Sequence, residues 1–124
     1  MKILIVDDEP LVRRSLRRAL EIRGHQIIEC EDGNQGLLSW TKELPELAFV
    51  DVLMPGLSGP QLIENLDMKI RTATKIVLMS AHTGDEKASP KLNELADLFL
   101  LKPFEDIFEV VKLVEGLKKN AIKS

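Results

Sequence analysis

The sequence predicts an α/β domain: a doubly wound, five-stranded parallel sheet with five helices packed on both faces. Three observations carry that prediction. Short apolar blocks alternate with amphipathic helical stretches from one end of the chain to the other, which is the pattern of strand–helix–strand crossovers. Acidic, hydroxyl or basic residues follow most of the apolar blocks, as at the carboxyl edge of a parallel sheet. The length, 124 residues, suits a single domain that buries about two-thirds of its chain surface.

The elements follow in order. Ile3–Val6 is an unbroken apolar run, hence a strand buried on both faces. Pro10 suits a helix start, Val12, Leu16, Ala19 and Leu20 lie on one helical face, and Gly24 closes the helix. Gln26–Cys30 is the second strand, Glu31-Asp32-Gly33 a turn, and Leu37, Trp40, Thr41 and Leu44 a second helix up to Pro45. Leu47–Val50 is the third strand, ending at Asp51, and the loop Met54–Gly59 feeds a third helix through Leu62, Ile63 and Leu66. Lys75–Met79 is the fourth strand, with Ser80 after it. A fourth helix is expected from about Asp85 to Ala96, weakened by Pro90. Leu98–Leu101 is the fifth strand, and the last helix runs from Phe104 to about Lys119. The pattern uses residues 1–124 as one domain and leaves no stretch for an output domain.

Composition excludes several classes. Seventeen basic against 20 acidic residues give a net charge of −3, and one Trp, four Phe and no Tyr offer few stacking surfaces. Direct nucleic-acid binding, which needs a basic field or aromatic platforms, is not expected. A single Cys30 rules out an internal disulfide framework and suits a reducing, cytoplasmic setting. No apolar run approaches the length of a membrane span.

The polar residues at the strand ends carry the chemistry. Asp7 and Asp8 follow the first strand, Asp51 ends the third, Ser80 the fourth and Lys102 the fifth, so one sheet edge gathers them all. Three carboxylates brought together repel each other unless a cation intervenes. Mg2+ accepts one or two carboxylates with water and phosphate oxygens. Lys102 is a point charge suited to phosphate, and Ser80 supplies a hydroxyl. Such a set describes phosphoryl transfer with a carboxylate as nucleophile.

Four motifs then occur in order: Ile5-Val6-Asp7-Asp8-Glu9-Pro10, Val50-Asp51-Val52-Leu53-Met54-Pro55-Gly56-Leu57-Ser58-Gly59, Met79-Ser80-Ala81 and Leu101-Lys102-Pro103-Phe104. On these residues the chain resembles the receiver domain of two-component response regulators. The resemblance implies a flavodoxin-like strand order of 2-1-3-4-5. It implies Asp51 as phosphoacceptor, with Asp7, Asp8, Asp51 and the main-chain carbonyl of Leu53 around Mg2+. Ser80 then resembles the hydroxyl that follows the phosphoryl group, Ala81 the small residue lining the phosphoryl pocket, Lys102 the family lysine, and Phe99 the aromatic switch. Pro103 resembles a proline preceded by a cis bond. The implied donor is a histidine kinase or histidine phosphotransfer protein, and a downstream target would bind through residues 85–119. The module acts on itself, in phosphorylation and autodephosphorylation, and not on a metabolite. A fragment of a longer regulator or hybrid kinase fits the same residues. A phosphatase of the haloacid-dehalogenase type also uses an Asp nucleophile, but needs a second Asp where Leu53 stands.

Other residues have plainer expectations. Trp40 should pack in the core, Gly36 make room for its indole, and Cys30 act as a small buried hydrophobe. His25, after Gly24, should be solvated, and Arg13, Arg14, Arg17 and Arg18 should form a solvated face of the first helix. His82 should stand with Leu53 at the pocket rim.

Overall fold

The computed structural model describes residues 1–81 and 94–123, with side chains up to residue 117. Five strands, β1 (Lys2–Val6), β2 (Gln26–Cys30), β3 (Leu47–Asp51), β4 (Lys75–Ser80) and β5 (Leu98–Leu101), form one parallel sheet in the order β2-β1-β3-β4-β5. Five helices lie wholly among the described residues: α1 (Pro10–Ile22), α2 (Gly33–Glu43), α3 (Gly59–Glu64), α4 (Met68–Ala73) and α5 (Ile107–Lys123). No helix among these residues is long and apolar enough to cross a membrane.

The continuous apolar strands are explained by burial on both faces. Alternate residues enter two cores. Leu4, Val6, Ala48, Val50 and Leu78 meet Trp40, Leu62 and Ile63 on one side. Ile3, Ile5, Phe49, Val77 and Met79 meet Leu16, Leu20, Val110, Val111 and Val114 on the other. The register pairs Val6 with Val50, Asp51 with Met79 and Ser80 with Leu101. The strands therefore deliver their terminal polar residues to one edge.

Local chemistry sets the helix ends. Gly24 takes φ +88° just past α1, a left-handed position that glycine adopts without strain. Asp32 caps α2 by accepting from the Gln35 backbone N–H at 2.8 Å, and Ser58 with Gln61 forms a reciprocal capping box on α3. Glu9 occupies the cap position of α1 but makes no capping bond. Its carboxylate is engaged elsewhere.

Several expectations are corrected. The third helix is not continuous through Leu66. It ends at Glu64, and Asp67 starts α4 by accepting from the Lys69 N–H at 2.9 Å. The last helix starts at Ile107, not Phe104, with Asp106 accepting from the Phe108 N–H at 3.0 Å. Gly36 does not serve the indole: a β-carbon there would press on Val6 and Leu62 at 3.0–3.1 Å, so its smallness lets α2 lie close to β1 and α3. Trp40 itself is fully buried, and its indole N–H donates to Thr74 Oγ1 at 3.0 Å. Cys30 is buried as expected.

His25 is not solvated. Its side chain is 10% exposed and lies between the N-terminal amine, 3.0 Å from Nδ1, and Glu115, 2.8 Å from Nε2. The arginine face of α1 is also only partly free. Arg13 and Arg17 both pair with Glu29, at 3.2 and 2.7 Å, because β2 runs beside α1. Of the expected fourth helix, Glu94 and Leu95 are helical, whereas Pro90, and His82 with its expected place at the rim, lie outside the described residues.

Candidate functional site

Each residue of the site is set by the end of a strand. β1 ends in an unbroken apolar run, so Asp7 and Asp8 are carried to the carboxyl edge of the sheet. Asp7 is fully buried and Asp8 is exposed. Asp51 closes β3 and is 5% exposed. Ser80 closes β4, buried, with Ala81 exposed beside it. Lys102 follows β5, its backbone N–H donating to the Ser80 carbonyl at 2.8 Å, and the Lys102–Pro103 bond is cis. Asp8, Glu9, Asp51, Leu53, Ser80, Ala81 and Lys102 line one cavity of about 330 Å³.

The Lys102 ammonium organises the acids. Its Nζ lies 3.0 Å from Asp7 Oδ2, 2.7 Å from Glu9 Oε1 and 3.4 Å from Asp51 Oδ1. Asp7 is pinned from its other oxygen as well, where Oδ1 accepts the Glu9 backbone N–H at 2.9 Å. One cation cannot neutralise this set. Burial, and then the neighbouring Asp7 charge, push the Asp51 carboxyl up to about 7, against the pull of Lys102. Asp7 is raised too, by burial, with the Glu9 N–H and Lys102 opposing. Burial works to lower Lys102, but its bonds to Glu9 and Asp7 and the charge of Asp51 outweigh burial and hold it above the usual lysine range.

A hard cation fits here. Asp7, Asp8, Glu9 and Asp51 each offer a carboxylate oxygen, all within 4.8 Å of one another. An all-oxygen donor set with surplus negative charge and an open cavity suits Mg2+ rather than a softer metal. The raised Asp51 carboxyl records the same surplus from the protein's side.

Two further residues shape the site. A β-carbon at Gly59 would collide with the Asp51 carbonyl oxygen, so the first residue of α3 has to be glycine for β3 and α3 to meet behind Asp51. Glu9 belongs to the acidic motif, where the sequence alone gives it no role. Its signal was local: a poor capping residue stands at the cap position between an acidic pair and Pro10. Phe99 stands apart from the cavity, half-buried on β5 opposite Leu78 and packed on the α2–α3 core. Leu53 lines the cavity and is 65% exposed.

Comparison with known proteins agrees with this fold. The model of the response regulator receiver domain family matches residues 3–115, and the chain belongs to that family. It is similar to Response regulator GtcR of Aneurinibacillus migulanus, 33% identical over 117 residues, which cover 94% of this chain and 48% of that protein. Among solved structures it resembles a CheY-like receiver domain protein of Methanospirillum hungatei, with a TM-score of 0.84 and 27% identity over 99% of this chain and 98% of that one. It also resembles the response regulator TrrA of Thermotoga maritima, solved in complex with Mg(2+)-BeF, with a TM-score of 0.78 and 30% identity over 95% and 96% of the two chains. The chain spans between a third and a half of the length of the curated relatives it matches, among them transcriptional regulators.

Proposed function

We propose that this receiver domain takes a phosphoryl group onto Asp51 in a Mg2+-dependent reaction and so switches a partner-binding surface. The donor is the phosphohistidine of a histidine kinase or histidine phosphotransfer protein. The observation that carries the reading is the arrangement around Asp51, a buried carboxylate facing Asp7, Asp8 and a lysine ammonium 3.4 Å away in an open cavity. An Asp51 oxygen attacks phosphorus in line, the bond from phosphorus to the donor atom breaks, and the donor keeps the electron pair. Lys102 is placed to hold a phosphoryl oxygen, and buried Asp7 holds Lys102. Mg2+, held by Asp7, Asp8, Asp51 and the Leu53 carbonyl, would neutralise charge on the phosphoryl oxygens.

Ser80, at the cavity wall, is assigned to follow the new phosphoryl group, and Ala81 leaves space and a backbone N–H for it. Phe99 is assigned as the switch, with the target surface on residues 85–119, part of which lies outside the described residues. The ring has no hydroxyl, so its readout is packing alone. Residues 1–124 act in this reading as one receiver module, and its catalysis is confined to its own phosphorylation and dephosphorylation.

Incubation with acetyl phosphate, followed by intact-mass analysis, tests the assignment. We expect one added phosphoryl group in Mg2+, none in chelator and none in Asp51→Asn. Equal labelling of Asp51→Asn would overturn it.

A further inference from the structure

We propose that Glu9 is an internal competitor of the phosphoryl group: its carboxylate occupies the Lys102 ammonium in the resting protein and must be displaced before Lys102 can serve phosphoryl transfer. The inference rests on the receiver reading above and names a positioning residue for it.

The argument starts from the donors on Lys102. An ammonium has three N–H bonds, and three carboxylates stand around this one, Asp7, Glu9 and Asp51. A phosphoryl oxygen on Asp51 needs one of those donors. Asp7 cannot yield easily, being fully buried and bonded through both oxygens. The Asp51 contact is the longest of the three and becomes part of the phosphorylated group itself. Glu9 makes the shortest contact, 2.7 Å, yet its side chain is 55% exposed. It alone of the three can swing into water without leaving a buried charge behind.

The position of Glu9 in the chain supports the same role. A residue at the cap of α1 normally turns its side chain to the first backbone N–H groups of the helix. Glu9 instead makes no capping bond and reaches across to the residue that follows β5. Its backbone N–H meanwhile fixes Asp7, so one residue steadies the immobile acid with its main chain and covers the lysine with its side chain. A phosphoryl group on Asp51 would also repel a carboxylate held this close. Transfer therefore exchanges the Glu9–Lys102 pair for a phosphoryl–Lys102 pair, and the Glu9 charge opposes the phosphorylated state.

The test uses labelling by acetyl phosphate at saturating Mg2+, with beryllofluoride binding as the equilibrium measure. Glu9→Gln keeps the shape and loses the charge; we expect labelling and beryllofluoride affinity to rise about three- to ten-fold. Raising the salt concentration should narrow the gap, because it screens an exposed carboxylate in the wild type. Glu9→Asp keeps the charge but shortens the reach, and its carboxylate can turn to cap α1. It should behave like Glu9→Gln. Slower or unchanged labelling in Glu9→Gln, or wild-type behaviour in Glu9→Asp, would overturn the competitor role. Failure of the receiver reading looks different, since then the wild type itself shows no Asp51-dependent labelling.

Discussion

The two edges of the sheet handle charge in opposite ways. At the amino edge, Arg23 and His25 both bond Glu115, and Lys2 pairs with Glu43 at 3.4 Å. The bonds from Arg23, and then His25, hold the Glu115 carboxyl below its ordinary range. The buried polar groups there are satisfied too: Thr74 Oγ1 accepts from Trp40 and lies 3.0 Å from the Pro45 carbonyl as its donor. At the carboxyl edge, four acids gather, three of them around one ammonium, and burial with like charge raises Asp51 to about 7. One edge is matched and serves the fold. The other is left with surplus negative charge, which a bound cation would offset.

The largest expected effect breaks the matched edge. Trp40→Ala removes a fully buried indole and leaves Thr74 without its donor. A loss of about 3–5 kcal/mol is expected in urea denaturation, from the cavity and the unmade bond together. Trp40→Phe should cost less, because most of the apolar volume is kept.

The second prediction relieves the unmatched edge. Asp51 is protonated up to about pH 7 in the folded chain, whereas in the unfolded chain it ionises near the ordinary carboxylate value of 3.8. Its contribution is therefore favourable below the unfolded value and is lost as pH rises through the folded one. The rise of about 3 units bounds the loss at about 4 kcal/mol, and we expect about half of that. Metal-free Asp51→Asn should thus be more stable than the wild type at pH 8 and no more stable at pH 4. Thermal denaturation in chelator at the two pH values checks the sign. Equal stability at pH 8 would contradict the charge surplus.

The third prediction concerns the metal. A cation at Asp51 must displace the proton held there, so Mg2+ affinity should climb up to about tenfold per pH unit below about 7 and level off above it. Calorimetric titration in two buffers of different ionisation heat would also register the released proton.

Much of both edges was legible in the residues, for a physical reason. Strands buried on both faces must be continuous apolar runs, so Ile3–Val6 and Leu47–Val50 stand out, and the polar residue after each run falls at the sheet edge. Asp7, Asp51, Ser80 and Lys102 could thus be placed together before any geometry was known. The amino edge was less legible. His25 and Glu115 are distant in sequence, and neither sits in a motif, so their contact depends on how α5 lies across the sheet. The split between α3 and α4 was hidden because Asp67 reads equally well as a surface residue of one longer helix. Gly36 was read from its neighbour Trp40 in sequence, when the atoms that crowd it belong to β1 and α3. Glu9 is silent in the sequence because the cap position explains an exposed acid without reference to β5.

The smallest effect expected at the unmatched edge concerns how long the phosphoryl group stays. Under the proposed function, hydrolysis would need a water in line with an Asp51–phosphorus bond, and Leu53 lines the cavity through which that water would come. The leucine side chain can neither orient nor activate water. An amide at the same place could hold one near the line of attack, and positioning of that kind raises a rate. The residue is 65% exposed, however, so much of it lies in solvent and it screens only part of the approach. The two contributions act in the same direction, since Leu53→Asn both opens the approach and adds a polar group. We therefore expect Leu53→Asn to lose phosphate about two- to five-fold faster than the wild type at fixed Mg2+, a modest change beside the effects above. Replacement by Ala separates the two contributions. If screening dominates, Leu53→Ala should match Leu53→Asn; if orientation dominates, it should match the wild type. Following decay of the Asp51 phosphate by intact mass in all three proteins decides between them, and an unchanged or slower rate in Leu53→Asn would remove Leu53 from the control of hydrolysis.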